Sequence, residues 1–443
     1  MNNPQLISLA AIIIAGSVFL VTIINTDAAM VLLLMSMLLS PEIVLAGGAG
    51  HDVVLRFDDL LLAVIFFTWL AKMAVNKQMG FIRQTPLNAP LGALIVVCLG
   101  STLWGMIDGT VEKPIVGFFY VLKYIEYFVL YFLVANVIRD QKQIHFYLRV
   151  ILFTAVIVGI CAYVQLIQHG TGYRLSAPFE GKAEPNTLAG YLVIIIFLAA
   201  GLAVHVQSVN RRLALLGLIA FLLPPYLFTY SRGGYITFIA SFIIFCFLSK
   251  RHKGFLFFTL LIGALVCRFY LPASVYERVA DTFDQQRGFQ YGGVKLSTSP
   301  AARIAIWKYG WEKLLKRPLF GFGVTGIGFV DSQYVLILGE IGLTGLLTFL
   351  WLWWRIWRIS FKSFRLVTDP LGEGLTLGFM AGFAGLLVLS FTGNIFVIVR
   401  IMEPFWFIAA MVLMLPKVMS IEGESVPVHK PPSLYPSLGI ARA

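Results

Sequence analysis

The feature that most limits the fold of this 443-residue chain is a series of apolar segments that recurs from end to end. Runs of about 17 to 25 residues are long enough for an α-helix to cross the roughly 30 Å hydrocarbon core of a bilayer. Only 13% of the residues are charged, against roughly 25% in a soluble domain. The chain is therefore predicted to be an all-α polytopic membrane protein with about 12 to 13 transmembrane helices. We place the spans near 6–24, 28–45, 58–75, 88–107, 117–137, 147–167, 187–206, 213–230, 233–249, 255–271, 334–354, 371–391 and 403–416.

The first apolar run leaves two topologies open. It begins near Leu6 with no Lys or Arg before it and no small-residue cleavage site, so we interpret it as a retained span rather than a signal peptide. If the first two runs both cross the bilayer, the N-terminus lies outside. An interfacial or re-entrant first segment would instead give about twelve spans and an inside N-terminus.

The basic residues alternate between loops, and this pattern predicts the orientation. Fifteen Lys and Arg lie in 72–83, 139–149, 211–212, 250–253 and 355–365, and the opposite short loops hold five: Arg56, Lys113, Arg174, Lys182 and Arg400. The positive-inside rule places the first set and the C-terminal tail in the cytoplasm. Segments Gly170–Asn186 and 272–333 then face outside. Membrane topology thus explains the net charge of +12, and no nucleic-acid partner is expected.

The cysteines do not indicate a metal or disulfide site. All four lie in apolar runs, without a CxxC pair or nearby histidines: Cys98, Cys161, Cys246 and Cys267. We expect them to be buried packing residues, with no disulfide framework and no zinc.

Four regions follow from these patterns: an N-terminal transmembrane bundle of about ten spans over 1–271, a large outer loop over 272–333, C-terminal transmembrane helices over 334–416 and a disordered cytoplasmic tail over 417–443. Within the outer loop, Ala301–Leu315 places Ile304, Trp307, Trp311 and Leu315 at helical spacing. This stretch is predicted to be an amphipathic helix on or near the membrane surface.

Three polar sites are expected to meet on the outer face: the span junction that contains Ser231 and Arg232, then Arg303, then the polar knot Asp331–Tyr334. Two arginines and a helix start suit a phosphate or pyrophosphate, because guanidinium groups bind phosphate oxygens in a bidentate manner. Each arginine also has a plainer interpretation, Arg232 as an interfacial anchor and Arg303 as part of a solvated helix face.

The polar knot consists of Asp331, Ser332, Gln333 and Tyr334. Asp331 and Ser332 are typical helix N-cap residues, and a capping carboxylate with a free oxygen can also accept a proton from a bound hydroxyl. Glu340 lies nine residues on, about 13 Å deeper at roughly 1.5 Å per residue. An ionisable group at that depth is a candidate functional residue.

These motifs resemble the O-antigen ligase and O-antigen polymerase superfamily. In that family His, then Asn, Ser or Gln, is followed after nine residues by Gly-x-x-Gly, which matches Ser332 and Gly342–Gly345. Three further motifs occur in the family's order: Pro185-Asn186, Ser231–Gly234, and Arg303…Trp307 before Pro318–Gly323. The resemblance covers roughly 175–415. It departs at Asp331, where ligases place the His thought to activate the acceptor hydroxyl; polymerases vary more there, which favours a polymerase.

The resemblance implies a glycosyltransferase at the outer face of the bacterial inner membrane. Its donor would be a glycan on a polyprenyl pyrophosphate and its acceptor a sugar hydroxyl on another lipid-linked unit. It would need no cofactor, nucleotide sugar or metal, and a chain-length regulator could be a partner. The implied catalytic residues are Asp331, Arg232 and Arg303; the implied substrate-binding residues are Ser231, Ser332, Gln333, Tyr334, Asn186 and Glu340.

Two alternatives stay open. A ligase of the same fold would attach finished glycan to a lipid core. A transporter of small solutes or anions would show discontinuous helices and ionisable residues near the bilayer midplane. Inside the spans the chain offers Lys123, Glu126, Glu340 and Glu373, of which the first two are spaced to neutralise each other.

Overall fold

The computed structural model describes residues 16–46, 53–76, 84–250, 288–291, 294–297, 300–328 and 330–425, and helices dominate these ranges. After a helical segment at 16–24, the first elements are α1 (Thr26–Leu39), β1 (Glu42–Ala46), β2 (Val53–Arg56), α2 (Phe57–Val75), α3 (Asn88–Ile107), α4 (Pro114–Val137) and α5 (Gln141–His169). Then come α6 (Pro185–His205), α7 (Val209–Leu227), α8 (Arg232–Leu248), β3 (Gly288–Tyr291) and β4 (Val294–Ser297). The last are α9 (Pro300–Lys316), α10 (Gln333–Leu366), α11 (Pro370–Leu389), a 3-10 turn (Ile395–Val397) and α12 (Val399–Ser425).

An all-α polytopic membrane fold is confirmed. Within the described ranges, seven helices are long and apolar enough to cross a membrane: α3, α4, α5, α6, α10, α11 and the Val399–Met419 part of α12. The apolar helices α1 and α8 are shorter. The total of 12 to 13 spans stays a prediction. The two antiparallel hairpins, β1–β2 and β3–β4, are short.

Three predicted segments differ from the structure or lie outside it. The predicted span 28–45 is wrong at its C-terminal end, because α1 ends at Leu39 and the chain then enters β1. The predicted tail is wrong over 417–425, since α12 continues to Ser425. The predicted span 255–271 lies outside the described residues, as do residues 426–443 of the tail.

The loops fall into two groups at opposite ends of the helices. One group, the site end, comprises the β1–β2 hairpin, 108–113, 170–184, 228–231, 318–332 and 390–398; for example, the Gly181 amide donates to Glu42 at 2.9 Å. The other group, the basic end, comprises 138–140, 206–208, 249–250 and 367–369; there Gln141 Nε2 donates to Asp369 Oδ2 at 2.8 Å. The grouping agrees with the predicted division into outer and inner loops, while the side of the membrane stays a prediction.

The C-terminal helices pack inside the N-terminal bundle instead of forming a separate unit. Glycines bring α6 and α11 into backbone contact: a Cβ at Gly374 would lie 2.7 Å from the Gly201 carbonyl, and one at Gly378 would lie 2.6 Å from the Leu198 Cα. Small residues allow such close approach between membrane helices. Helices α6 and α12 are the most enclosed, with 89% of their most apolar stretches buried.

Helix α10 is broken, and the glycine-rich loop fills the break. Gly342 adopts φ 67° and ψ −161°, which glycine tolerates and other residues avoid. The Leu343 amide donates to the Pro318 carbonyl at 2.8 Å, and the Gly339 carbonyl accepts from the Phe322 amide at 3.0 Å. Backbone groups that lose helical partners at the break therefore find partners in the loop, as burial in a membrane protein demands.

The predicted amphipathic helix is present as α9. Its Ile306 and Tyr309 pack on a small apolar cluster that includes Val335 of α10. Trp311 and Leu315 are exposed. One face of α9 is thus held by α10 while large apolar side chains stay at the surface, which agrees with a helix lying at an interface.

Candidate active site

The Ser231–Gly234 motif forms the start of α8. Ser231 occupies the N-cap position and its hydroxyl accepts from the Gly234 amide at 3.0 Å, the usual role of serine at a helix start. The same hydroxyl donates to Asn186 Oδ1 at 2.7 Å. The start of α8 is therefore tied to the start of α6. Arg232, the first residue of α8, is half-buried.

The turn after α11, residues 390–394, packs against both predicted motifs. The Gln333 amide donates to the carbonyls of Ser390 and Gly393 at 3.0 and 3.2 Å. Asn394 Nδ2 donates to the Val330 carbonyl at 2.6 Å. These bonds join the turn to the polar knot at the start of α10.

Gly393 marks the point where the predicted site residues meet. A Cβ built on Gly393 would lie 3.7 Å from Asp331 Oδ1 and 3.9 Å from Asn186 Nδ2. On the other side of the turn, Thr392 packs against Gly233, which follows Arg232. Asp331, Asn186 and the Ser231–Arg232 pair are thereby brought to one place, although they lie on three different helices or their approaches.

The helix cap is one residue later than Asp331. Ser332 is the N-cap residue of α10 and its side chain makes no capping hydrogen bond. The N-cap interpretation is therefore confirmed for the position of Ser332 and wrong for Asp331. Asp331 is exposed, so its carboxylate can be reached from water.

Ser332, Gln333 and Tyr334 support the site more than they line it. Ser332 and Gln333 are 1% and 0% exposed, and Gln333 Oε1 accepts from the Phe396 amide at 3.0 Å. The Tyr334 hydroxyl donates to the Leu387 carbonyl at 2.9 Å. The geometry therefore favours a positioning role for these residues over the direct substrate contact expected from the sequence.

Glu340 is placed at the junction of α10 and the glycine-rich loop. It is buried, and its Oε1 accepts from the Thr325 amide at 2.6 Å. Its carbonyl accepts from the Ser101 hydroxyl at 2.8 Å. Glu340 therefore holds the loop in place, and its contact with substrate stays a prediction.

Arg303 is the fourth residue of α9. Four residues later, about 6 Å along the helix axis, the Trp307 ring stacks on Phe391 with centroids 6.0 Å apart. Phe391 in turn lies 4.5 Å from the Tyr334 ring. Helix α9 thus approaches the 390–394 turn at Trp307, one turn beyond Arg303.

The loop 170–184, at the site end, carries a carboxylate with a raised pKa. Partial burial raises the pKa of Glu180 to about 7, against the opposing effects of the Glu184 amide and Arg400. The Glu184 amide donates to Glu180 Oε2 at 3.1 Å. A carboxyl group with a pKa near neutrality could exchange protons at working pH.

Arg400 holds the 170–184 loop in place. It is 1% exposed and donates to Glu42 Oε1 at 3.2 Å and to the Phe179 carbonyl at 3.0 Å. It also donates to the carbonyls of Leu38 and Ser40. Arg400 therefore joins α12 to the end of α1, to β1 and to the loop that holds Glu180.

A cavity of about 280 Å³ opens beside the glycine-rich loop. Its lining includes Lys113, Tyr309, Lys313, Thr325 and Gly328. The cavity therefore offers hydroxyl and ammonium groups, and one of its lining residues, Gly328, lies three residues before Asp331 in the chain.

Sequence reasoning missed the 390–394 turn, Arg400 as a structural centre, and the role of Ser101. The turn could have been recognised from its polar Ser-x-Thr-Gly-Asn pattern directly after an apolar run. Ser101 and Thr102 form a hydroxyl pair inside an apolar span, and the Val324 amide donates to Thr102 at 3.3 Å.

A family model described as O-antigen ligase matches residues 226–350. The match includes the Ser231–Gly234 turn, α9, the glycine-rich loop, Asp331 and the Gly342 break, and it supports a glycan-transfer function in a membrane. No curated protein matches the chain. Together with the motifs and the multi-pass helical fold, the match over residues 226–350 supports the resemblance to the O-antigen ligase and O-antigen polymerase superfamily.

Proposed function

We propose that the protein transfers a glycan from a polyprenyl-pyrophosphate donor to a sugar hydroxyl, and that it polymerises lipid-linked repeat units of a surface or exopolysaccharide. The observation that carries the proposal is the convergence of Asp331, Asn186 and the Ser231–Arg232 pair around Gly393. This convergence supports one shared substrate site for an exposed carboxylate and an arginine of the site end.

In the proposed reaction the acceptor hydroxyl oxygen forms a bond to the anomeric carbon of the donor. The bond between that carbon and the pyrophosphate oxygen breaks, and Asp331 takes the hydroxyl proton. Negative charge grows on the leaving polyprenyl pyrophosphate, where Arg232 and Arg303 would stabilise it. The arginines supply this stabilisation without a metal or a nucleotide sugar.

Asp331 is an unusual base for this family, because an unperturbed aspartate has a pKa near 4. Glu180, with its pKa raised to about 7, is the second candidate base. Both candidates lie at the site end.

The transporter alternative gains one predicted feature, the discontinuous helix α10. However, the break at Gly342 is filled by the chain's own loop: a Cβ there would lie 2.5 Å from the Leu319 carbonyl. In a transporter the broken helix ends would instead face the solute. The family match favours glycan transfer, and a ligase would perform the same bond exchange with a different acceptor.

The deciding experiment replaces Asp331 with Asn in a deletion strain. We expect normal membrane abundance and a rate of polymer formation lower by about 10²–10⁴, the usual effect of losing a positioned base. Asp331→His restores the residue usual in the family and should retain partial activity. Polymer length on the lipid carrier and abundance are measured together.

The accumulating product separates polymerase from ligase. Loss of a polymerase leaves single repeat units on the carrier, whereas loss of a ligase leaves full-length polymer on the carrier and none on the lipid core. An abundant Asp331→Asn protein with the wild-type rate would remove Asp331 from the mechanism, and Glu180→Gln would then be tested in the same strain.

The proposed site must face the periplasm of the inner membrane. A cysteine at Ser297, the last residue of β4, should react with an impermeant thiol reagent in intact cells. Because the native cysteines lie in apolar runs, the parent protein is the control. Labelling only after lysis would reverse the orientation and separate the site from its substrate.

A further inference from the structure

Beneath the β1–β2 hairpin lies a second group of ionisable side chains that the transfer reaction does not use. Asp58 and Asp59 stand in the first turn of α2, and Glu403 lies near the start of α12. Asp58 and Glu403 are both 0% exposed. Glu126 of α4 completes the group, which we call the acidic cluster.

Two basic side chains occupy only part of the cluster. Arg56 pairs with Asp58 Oδ2 at 3.1 Å. Lys123 pairs with Asp59 Oδ2 at 2.5 Å and with Glu126 Oε2 at 3.0 Å. In the described part of the chain, the remaining oxygens find no hydrogen-bond donor: Asp58 Oδ1, Asp59 Oδ1, Glu126 Oε1 and both oxygens of Glu403.

Glu403 provides an observation independent of the α2 carboxylates. It comes from a different helix, is completely buried, and presents two oxygens without a donor to Asp58 and Asp59. Carboxylates avoid such an arrangement unless something positive lies between them. The Glu403 carboxylate therefore points at a site for a positive ligand that oxygen atoms coordinate.

The charges of the cluster do not balance. Four carboxylates face the two cations Arg56 and Lys123, which leaves two negative charges in a buried site. Leaving charges buried and unpaired is strongly unfavourable. One divalent cation or two protons would restore neutrality.

The spacing favours a cation. One oxygen from each of Asp58, Asp59 and Glu403 lies within 4.8 Å of the others. Oxygens on opposite sides of a Ca²⁺ ion are separated by up to about 5 Å, against about 4.2 Å for Mg²⁺. A shared proton joins two oxygens, whereas here three converge.

We propose that Asp58, Asp59 and Glu403 bind one Ca²⁺ ion that joins α2 to α12. The site is structural and does not rest on the proposed transfer reaction. Arg400, one turn before Glu403, holds the Glu180 loop, so the ion would also stiffen the outer loop next to the candidate active site.

The test uses the full-length protein in detergent micelles, stripped with EDTA and dialysed. We expect 1 mM CaCl₂ at constant ionic strength and pH 7.5 to raise the midpoint of thermal unfolding by about 2–5 °C. Glu403→Gln should lose this shift. Glu373→Gln is the matched control, because Glu373 is a carboxylate of α11 that pairs with Lys250 at 3.1 Å, away from the cluster.

Equilibrium binding of ⁴⁵Ca²⁺ to the wild-type protein tests the site directly, without the need for a folded variant. One bound ion per chain is expected. No stoichiometric binding, or a midpoint that ignores Ca²⁺ but rises as the pH falls, would overturn the proposal in favour of protons. Asp331→Asn should keep the Ca²⁺ shift, so this test is separate from that of the transfer reaction.

Discussion

Two arginines begin membrane helices at the site end, and their surroundings differ. Arg400, the second residue of α12, is enclosed and donates to Glu42 and to three backbone carbonyls. Arg232, the first residue of α8, is half-buried beside the 390–394 turn. A cation at a helix N-terminus opposes the helix dipole. Glu42 offsets that cost at Arg400, and an anion arriving from water would lower it at Arg232.

The difference separates a structural arginine from a candidate binding arginine. Both lie in predicted outer loops or span junctions, and charge alone does not distinguish them. Burial does: Arg400 is 1% exposed, with its guanidinium nitrogens bonded to the protein, whereas Arg232 is half-buried and so partly open to water. The pyrophosphate of the proposed polyprenyl donor could therefore reach Arg232 but not Arg400.

The largest effect is expected from Arg400→Ala. This change leaves the partly buried Glu42 without its cation and removes the donors from three carbonyls, a cost of about 3–5 kcal/mol. We expect little folded protein in the membrane, measured as abundance and as the unfolding midpoint of what remains. Arg232→Ala is the paired control and should accumulate normally; the reverse result would invert the comparison.

The next effect is expected from Arg232→Lys. Lysine keeps the charge but cannot form bidentate contacts with phosphate oxygens, so polymer synthesis should fall by on the order of 10²–10³, as for the loss of one charge-stabilising donor. Abundance should match the wild type. A lysine variant that retains most synthesis would make Arg232 an interfacial anchor, as the plainer interpretation holds.

The smallest effect concerns Glu180, in the loop that Arg400 fixes. Its pKa is raised to about 7 in the folded protein, above the unfolded value near 4.3, so the folded state binds the extra proton. The contribution of Glu180 to the free energy of unfolding is therefore most favourable below about pH 4, and it is lost as the pH rises through 7. Glu180→Gln should raise the unfolding midpoint relative to the wild type at pH 8 and have less effect at pH 5. An equal difference at both pH values would exclude this linkage.

The transmembrane helices could be predicted because hydropathy is a local property. The bounds of α3, α6 and α11 lie within three residues of the predicted spans. The pairing of Lys123 with Glu126 was also predictable from their spacing, and it is confirmed at 3.0 Å. These features depend on residues close in sequence.

The break in α10 could not be predicted in the same way. Gly342 is tolerable there only because Pro318–Phe322 supplies partners and Ser101 braces the Glu340 carbonyl. Gly201, Gly374 and Gly378 of the α6–α11 interface lie in apolar segments like that of Gly342, yet they remain helical. Likewise, the sequence predicted that Arg232 and Asp331 lie on one face of the membrane. The approach of their motifs at Gly393 depends on a turn some sixty residues beyond Asp331.

The loop that fills the α10 break also restricts how the protein can be recombined with its relatives. Residues 318–323, the 339–344 stretch and Ser101 share one set of hydrogen bonds. A chimera that exchanged residues 272–333 alone would bring foreign carbonyls to the Leu343 and Thr344 amides, which here donate to Pro318 and Leu319. Exchange boundaries placed before α9 and after Gly345, with position 101 kept as serine, would transfer this unit whole and let specificity be studied in a folded hybrid.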